Sequence, residues 1–147
     1  MPIDSLHLLP RDQREWLLPV GFVGLILLTY LLGLVVGTVT NGEPTLPRVV
    51  YRPILFPGLF TLAPIGVGAA NTYRGASLAS TLAAGVAPGV AFFLLARGSL
   101  LLGVSDGGDA PAWGLAVLFG GVGVAGALAG VLLVVFGWAI QQWLGDS

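Results

Sequence analysis

Four long apolar runs, separated by short polar stretches, dominate the sequence. The runs cover about 17–39, 54–70, 78–102 and 113–140. At about 1.5 Å per residue, helices of these lengths cross or nearly cross the roughly 30 Å hydrocarbon layer of a bilayer. Residues 1–16 form a polar opening suited to the membrane interface and end in Trp16. The pattern predicts one membrane domain over 1–147, an all-α integral membrane protein folded as an antiparallel four-helix transmembrane bundle.

The first run has a competing interpretation as a cleaved signal peptide. Thr38 and Thr40 offer a weak small-residue cleavage pattern. The polar opening is acidic as well as basic, however, and the apolar run is longer than the about 7–15 residues usual in a signal peptide. We therefore predict that the first helix is retained.

The second run is the least regular of the four. Pro57 and Pro64 interrupt a run of about 17 residues, which is barely enough for a crossing. Two interpretations stay open: a short, kinked but complete crossing, which we favour, and a re-entrant segment. Broken helices can free backbone carbonyls to line a cavity. Gly58, Pro64 and Gly66 are therefore the candidate residues of a path through the bundle.

Small residues recur at helical spacing in the other three runs and predict faces for close helix packing. The longest stripe has a small residue at every fourth position through the start of the third run. The candidate packing residues are Gly33, Gly37, Gly75, Ala79, Ala83, Ala87, Ala91, Gly123, Gly126 and Gly130. We expect the third and fourth helices to form the tightest pair, through the alanine stripe and the glycine-rich face.

Composition supports the membrane assignment and limits the partners. Hydrophobic residues make up 56% of the chain and charged residues 9%, whereas soluble domains carry about a quarter charged residues. A net charge of −1 without a basic run argues against a nucleic-acid partner. The expected location is the cell membrane, with several crossings. The expected partners are membrane lipids together with helices of a second copy or of another membrane protein.

All six basic residues are arginines. Four of them are candidate contacts to lipid headgroups, namely Arg48, Arg52, Arg74 and Arg97. With four crossings, three arginines fall on each side, so the arginine count does not orient the chain. We lean towards cytoplasmic termini, because Arg11 and Arg14 flank the first helix.

The sequence offers no constellation for catalysis, and we predict no catalytic, cofactor-binding or metal-binding residue. His7 is the sole histidine, cysteine is absent, and no acidic residue occurs inside an apolar run. Asp106 and Asp109 lie on a glycine-rich loop, but a calcium site needs about six or more oxygen ligands. We interpret this loop as a solvated turn and predict that the chain is not an enzyme.

Three functional hypotheses follow from these patterns. The first, which we prefer, is a structural or accessory subunit that acts through small-residue helix packing. The second is a transporter or channel component that permeates near the broken second segment. The third is a lipid-acting membrane protein that uses the interfacial arginines.

Overall fold

The computed structural model describes residues 7–39, 54–103 and 111–145, and every regular element in these ranges is a helix. A short 3-10 helix, Gln13–Trp16, leads into α1, and a π-helix, Ile54–Leu62, leads into α2. The four α-helices are α1 (Leu17–Val39), α2 (Ala63–Tyr73), α3 (Leu78–Leu101) and α4 (Ala112–Gly145).

Three helical stretches of the described residues are long and apolar enough to cross a membrane. They are Gln13–Gly33, Leu78–Leu101 and Ala112–Gly145. The prediction of a helical membrane protein is therefore supported. The second segment is not among the three, because it is divided between the π-helix and the short α2.

The second segment differs most from its predicted bounds. It begins as a π-helix with Pro57 inside, which is consistent with the missing N–H and the ring of proline, since both oppose regular α-helical bonding. It also continues to Tyr73 instead of stopping near residue 70. The polar residues Asn71 and Thr72 lie beyond the predicted end of the second run. They fit inside the helix because their side chains bond to α3 and to a carbonyl of their own helix.

A tight turn joins α2 to α3. Gly75 adopts a left-handed backbone with φ of +72°, a conformation that glycine adopts without strain. The amide of Gly75 donates to the carbonyl of Thr72 at 2.9 Å, and that of Ala76 donates to Asn71 at 3.0 Å. Gly75 therefore belongs to the turn and not to the helical face on which the small-residue stripe was drawn.

Helices that follow one another in the chain alternate in direction. On α3 and α4, Gly85 lies against Gly123 while Gly89 lies against Gly120, so these two helices are antiparallel. The short turn from Tyr73 to Leu78 makes α2 antiparallel to α3 as well. It follows that α2 and α4 run in the same direction.

Helix α1 runs parallel to α3 and is joined to it by bulky side chains. Glu15, just before α1, bonds to Ser77 at the start of α3. Further along, Phe22 and Ile26 share a buried cluster with two alanines of α3 and with Phe60 of the π-helix. The other side of α1 is covered with exposed leucines and valines, as expected of a surface that faces lipid.

Candidate functional site

Helices α3 and α4 are in direct backbone contact at two glycines of α3. A Cβ atom added at Gly85 would lie 2.8 Å from Cα of Val124 and 2.9 Å from the carbonyl oxygen of Gly123. A Cβ atom added at Gly89 would lie 2.8 Å from Cα of Gly120. Real Cβ atoms do not approach backbone atoms this closely, so only glycine fits at either position.

Helix α4 makes a second contact of the same kind with α2. A Cβ atom at Gly68 would lie 2.7 Å from Cα of Ala127, and one at Gly130 would lie 2.6 Å from the amide nitrogen of Ala69. Gly126 is slightly less crowded, at 3.1 Å from Cβ of Pro64. One helix therefore holds both neighbours through glycines, and α2, α3 and α4 form a glycine-packed core.

The predicted packing residues of α4 all lie at these contacts. Gly123 faces α3, with Pro88 Cγ 3.2 Å from the place of its missing Cβ, and Gly126 and Gly130 face α2. In the first helix, Gly33 is half-buried, and the surroundings of Gly37 lie outside the described residues.

The alanine stripe of α3 has a different role from the one expected. Ala87 and Ala91 are buried, but they belong to the cluster that contains Phe22 and Ile26 of α1. Ala79 and Ala83 are half-buried. Two alanines of the stripe thus form part of the surface of α3 that packs against α1. The close contact with α4 is made instead by glycines elsewhere on α3.

Sequence reasoning missed Gly85 and Gly89, which form the tightest part of α3. Their spacing was visible, because Gly85 and Gly89 stand four residues apart as a G-x-x-x-G pair around Pro88. Both glycines and Pro88 are buried in the structure.

Aromatic side chains fill the space where the π-helix meets α3 and α4. The ring of Phe119 lies 4.8 Å from that of Phe60 and 5.0 Å from that of Phe92, measured between centroids. The ring planes are tilted by 44° and 51°, which are favourable arrangements for aromatic pairs. These contacts hold the π-helix against the bundle.

The three candidate path residues do not lie on a common surface. Gly58 is half-buried in the π-helix, and Pro64 is buried against Gly126. Gly66 is exposed on the outer side of α2, with no atom within 4 Å of the place of a Cβ. The structure therefore does not bring the three together around one path.

The candidate headgroup contacts are found at two ends of the bundle. Arg74 is exposed where α2 ends. Arg97 is exposed near the end of α3, and its guanidinium carbon lies 5.6 Å from the ring centroid of Phe93. Arg48 and Arg52 lie outside the described residues, as do Asp106 and Asp109.

A buried polar network joins the end of α2 to the start of α3. The side-chain amide of Asn71 donates to the hydroxyls of Ser80 and Thr81, at 3.0 and 2.9 Å. These hydroxyls in turn donate to the carbonyl of Ser77, each at 3.0 Å. Since buried polar groups are costly without partners, the network fixes how α2 and α3 meet.

The chain before α1 caps the start of α3. The first amides of a helix have no partner within the helix. Here the amides of Leu78 and Ala79 donate to the carbonyls of His7 and Leu8, at 2.9 and 3.1 Å. The amide of Ser80 donates to the Ser77 hydroxyl at 3.2 Å.

Glu15 completes this cap and connects two distant parts of the chain. One oxygen of its carboxylate accepts from the amide of Ser77 at 2.9 Å, and the other accepts from the amide of Arg11 at 3.0 Å. His7 Nε2 lies 3.3 Å from the same carboxylate. The start of α3 therefore finds its hydrogen-bond partners in its own Ser77 and in the segment that precedes α1.

Comparison of the chain with protein-family models, curated proteins and solved structures gives no match.

Proposed function

We propose that this protein is a membrane-embedded helical subunit that presents outward small-residue faces to the helices of a partner chain. The buried glycines of α2, α3 and α4 pack against one another's helices within this chain, so they are not free to contact a partner. The proposal depends instead on a second set of glycines that face away from the bundle.

Helices α2 and α4 each have one small-residue face that points away from the bundle. Gly66 and Ala70 are exposed four residues apart on α2, and Gly121 and Ala125 are exposed four residues apart on α4. Residues at this spacing lie on one side of a helix. Apart from the adjoining residues and backbone of the same helix, no atom lies within 4 Å of the place of a Cβ at Gly66 or Gly121.

This exposure is the observation that carries the proposal. Glycine in a helix costs about 1 kcal/mol relative to alanine, and a glycine that faces lipid gains no packing within its own chain. A second helix can approach closely at such a place and gain dispersion contacts that lipid does not provide as well. Small outward faces are therefore suited to helix association.

The topology that we propose is a bundle of four crossings with a kinked second one. The π-helix and α2 follow each other without a gap over Ile54–Tyr73. Their second half runs parallel to α4, which is long enough to cross a membrane. A kinked crossing is favoured over a re-entrant segment because the short turn to α3 continues in the opposite direction.

The test is the mass of the intact complex, taken from native membranes into lipid nanodiscs. We expect a stoichiometric complex with a second copy or another membrane protein. Gly66→Leu and Gly121→Leu should dissociate it, because a bulky side chain fills the face. Gly137→Leu is the matched control, since this glycine of α4 is also exposed with open space around it. A lone chain in the wild type would contradict the proposal.

A second candidate function is permeation, and one observation favours it. Extended π-helical turns are rare and often occur at functional sites, and here one contains Pro57. Water accessibility of cysteines placed at Gly58 and Thr61 would test it. If thiol reagents added from either side label neither position, this candidate fails.

A further inference from the structure

Three arginines belong to the two chain segments that meet where α2 ends and α3 begins. Arg11 and Arg14 precede α1, and Arg74 follows α2, and all three are exposed. The two chain segments are held together because the Glu15 carboxylate accepts from the amide of Arg11 at 3.0 Å and from that of Ser77 at 2.9 Å. Residues 62 positions apart are thereby joined.

Asp12 and Glu15, the acidic residues that the structure describes in these segments, accept hydrogen bonds from backbone amides. Both oxygens of Glu15 accept from amides, and Asp12 accepts from the amide of Arg14 at 3.3 Å. Among the residues that the structure describes, the pair of His7 and Glu15 is the only ion pair. No carboxylate of the described residues forms an ion pair with these three guanidinium groups, and the three arginines outnumber the two charged carboxylates, Asp12 and Glu15, in these segments.

Exposed apolar and aromatic side chains occur in the same two chain segments as these charges. Leu8 and Leu9 are 71% and 76% exposed, although the carbonyl of Leu8 is bonded to the start of α3. Trp16 and Tyr73 are also exposed. Exposed leucines with tryptophan, tyrosine and arginine are the composition of a segment that lies at the boundary between headgroups and acyl chains.

We propose that Arg11, Arg14 and Arg74 form a binding surface for the phosphates of anionic phospholipids. The leucines enter the acyl boundary, and the guanidinium groups meet the headgroups above it. Arginine is suited to this role because its planar fork of N–H donors matches phosphate oxygens. Electrostatic attraction to an anionic leaflet rises with each basic residue, so three of them act together.

This inference is independent of the proposed protein partner. A chain that forms no complex with other proteins can still select anionic lipid, and a chain that loses its lipid preference can still assemble.

The experiment counts lipids retained by the protein after release from nanodiscs of equal phosphatidylcholine and phosphatidylglycerol, by native mass spectrometry. We expect bound phosphatidylglycerol in excess for the wild type. The triple variant R11Q/R14Q/R74Q should lose this excess by roughly tenfold or more. R11K/R14K/R74K should keep most of it, because the charge is preserved.

Three results would overturn the proposal: no excess in the wild type, an unchanged excess in R11Q/R14Q/R74Q, or displacement of the lipid by inorganic phosphate. A second measurement needs no variant and covers the case in which a triple variant does not fold. Phosphatidylglycerol added to the detergent-solubilised wild type should raise the unfolding temperature more than phosphatidylcholine does. Equal shifts with the two lipids would also overturn the proposal.

Discussion

The glycine-packed core of α2, α3 and α4 and the attachment of α1 are two different solutions to helix packing in one chain. In the core, backbone meets backbone, as where Gly85 lies against Gly123 and Val124. Between α1 and α3, large side chains of α1 such as Phe22 and Ile26 pack against small residues of α3. Lipid is as apolar as leucine, so burial of apolar area does not drive either contact. Close packing must do so.

The difference teaches how sensitive each region is to change. A backbone contact has no side chain that can move aside, so an added methyl group must separate the helices. A side-chain contact can adjust its rotamers, and a loss there leaves a space that neighbours partly fill. Substitutions in the glycine-packed core are therefore expected to destabilise the protein more than substitutions in α1.

The largest effect is expected from Gly85→Ala. The new Cβ would lie 2.8 Å from Cα of Val124, and overpacking of this kind costs about 1–3 kcal/mol or more. Gly98→Ala is the matched control, because it makes the same substitution in the same helix where there is open space. The control should be neutral or stabilising by about 0.5–1 kcal/mol, since alanine favours the helix. The free energy of unfolding in mixed micelles would measure both. If Gly85→Ala and Gly98→Ala changed the free energy of unfolding equally, the glycine-packed core would not be more sensitive to substitution than α1.

A smaller effect is expected from Ile26→Ala in α1. Ile26 is fully buried, but the transfer of its side chain to lipid costs little, so the loss of packing dominates. We expect a destabilisation of about 1–2 kcal/mol, below that of Gly85→Ala. Leu25→Ala, at a residue 50% exposed on the same helix, should leave stability within about 0.5 kcal/mol. If Ile26→Ala proved the more damaging, α1 and not the core would be the intolerant region.

The smallest of the three effects is expected from Asn71→Leu. This change removes two hydrogen bonds between α2 and α3, and such bonds contribute about 0.6 kcal/mol on average in a membrane protein. The hydroxyls of Ser80 and Thr81 keep the carbonyl of Ser77 as their acceptor, which limits the loss. Thr29→Val provides the comparison, because Thr29 bonds only to the carbonyl of Leu25 in its own helix. Unfolding measured as above should show a loss for Asn71→Leu alone.

Much of the fold was predictable from hydrophobic runs. The bounds of α1 agree with the expected 17–39, and α3 begins at Leu78 as expected. These elements come from long apolar runs, whose lengths match a crossing of the hydrocarbon layer. The second segment was harder, because two prolines leave several helical forms open. A π-helix and the inclusion of Asn71 in α2 depend on contacts with α3 and α4 that no local pattern reveals.

The candidate site was predictable only in part. Gly123, Gly126 and Gly130 lie at helix contacts, but which helix each one faces could not be read from spacing. Ala87 and Ala91 share a face with Ala79 and Ala83, yet only the first two are fully buried. The partner of each face depends on how α4 sits between α2 and α3. The capping of α3 by residues before α1 was not foreseen either, because its bonds join distant parts of the chain.

The sequence by itself determined that the chain forms helices long and apolar enough to cross a membrane, because a helix satisfies the backbone groups of a long uncharged run within the run itself. It also determined where small residues allow helices to approach. Only the tertiary structure decided which glycines face inward and which face outward. That choice depends on the rotation of each helix about its axis, which is set by packing against two neighbours at once and leaves no periodic signal along the chain.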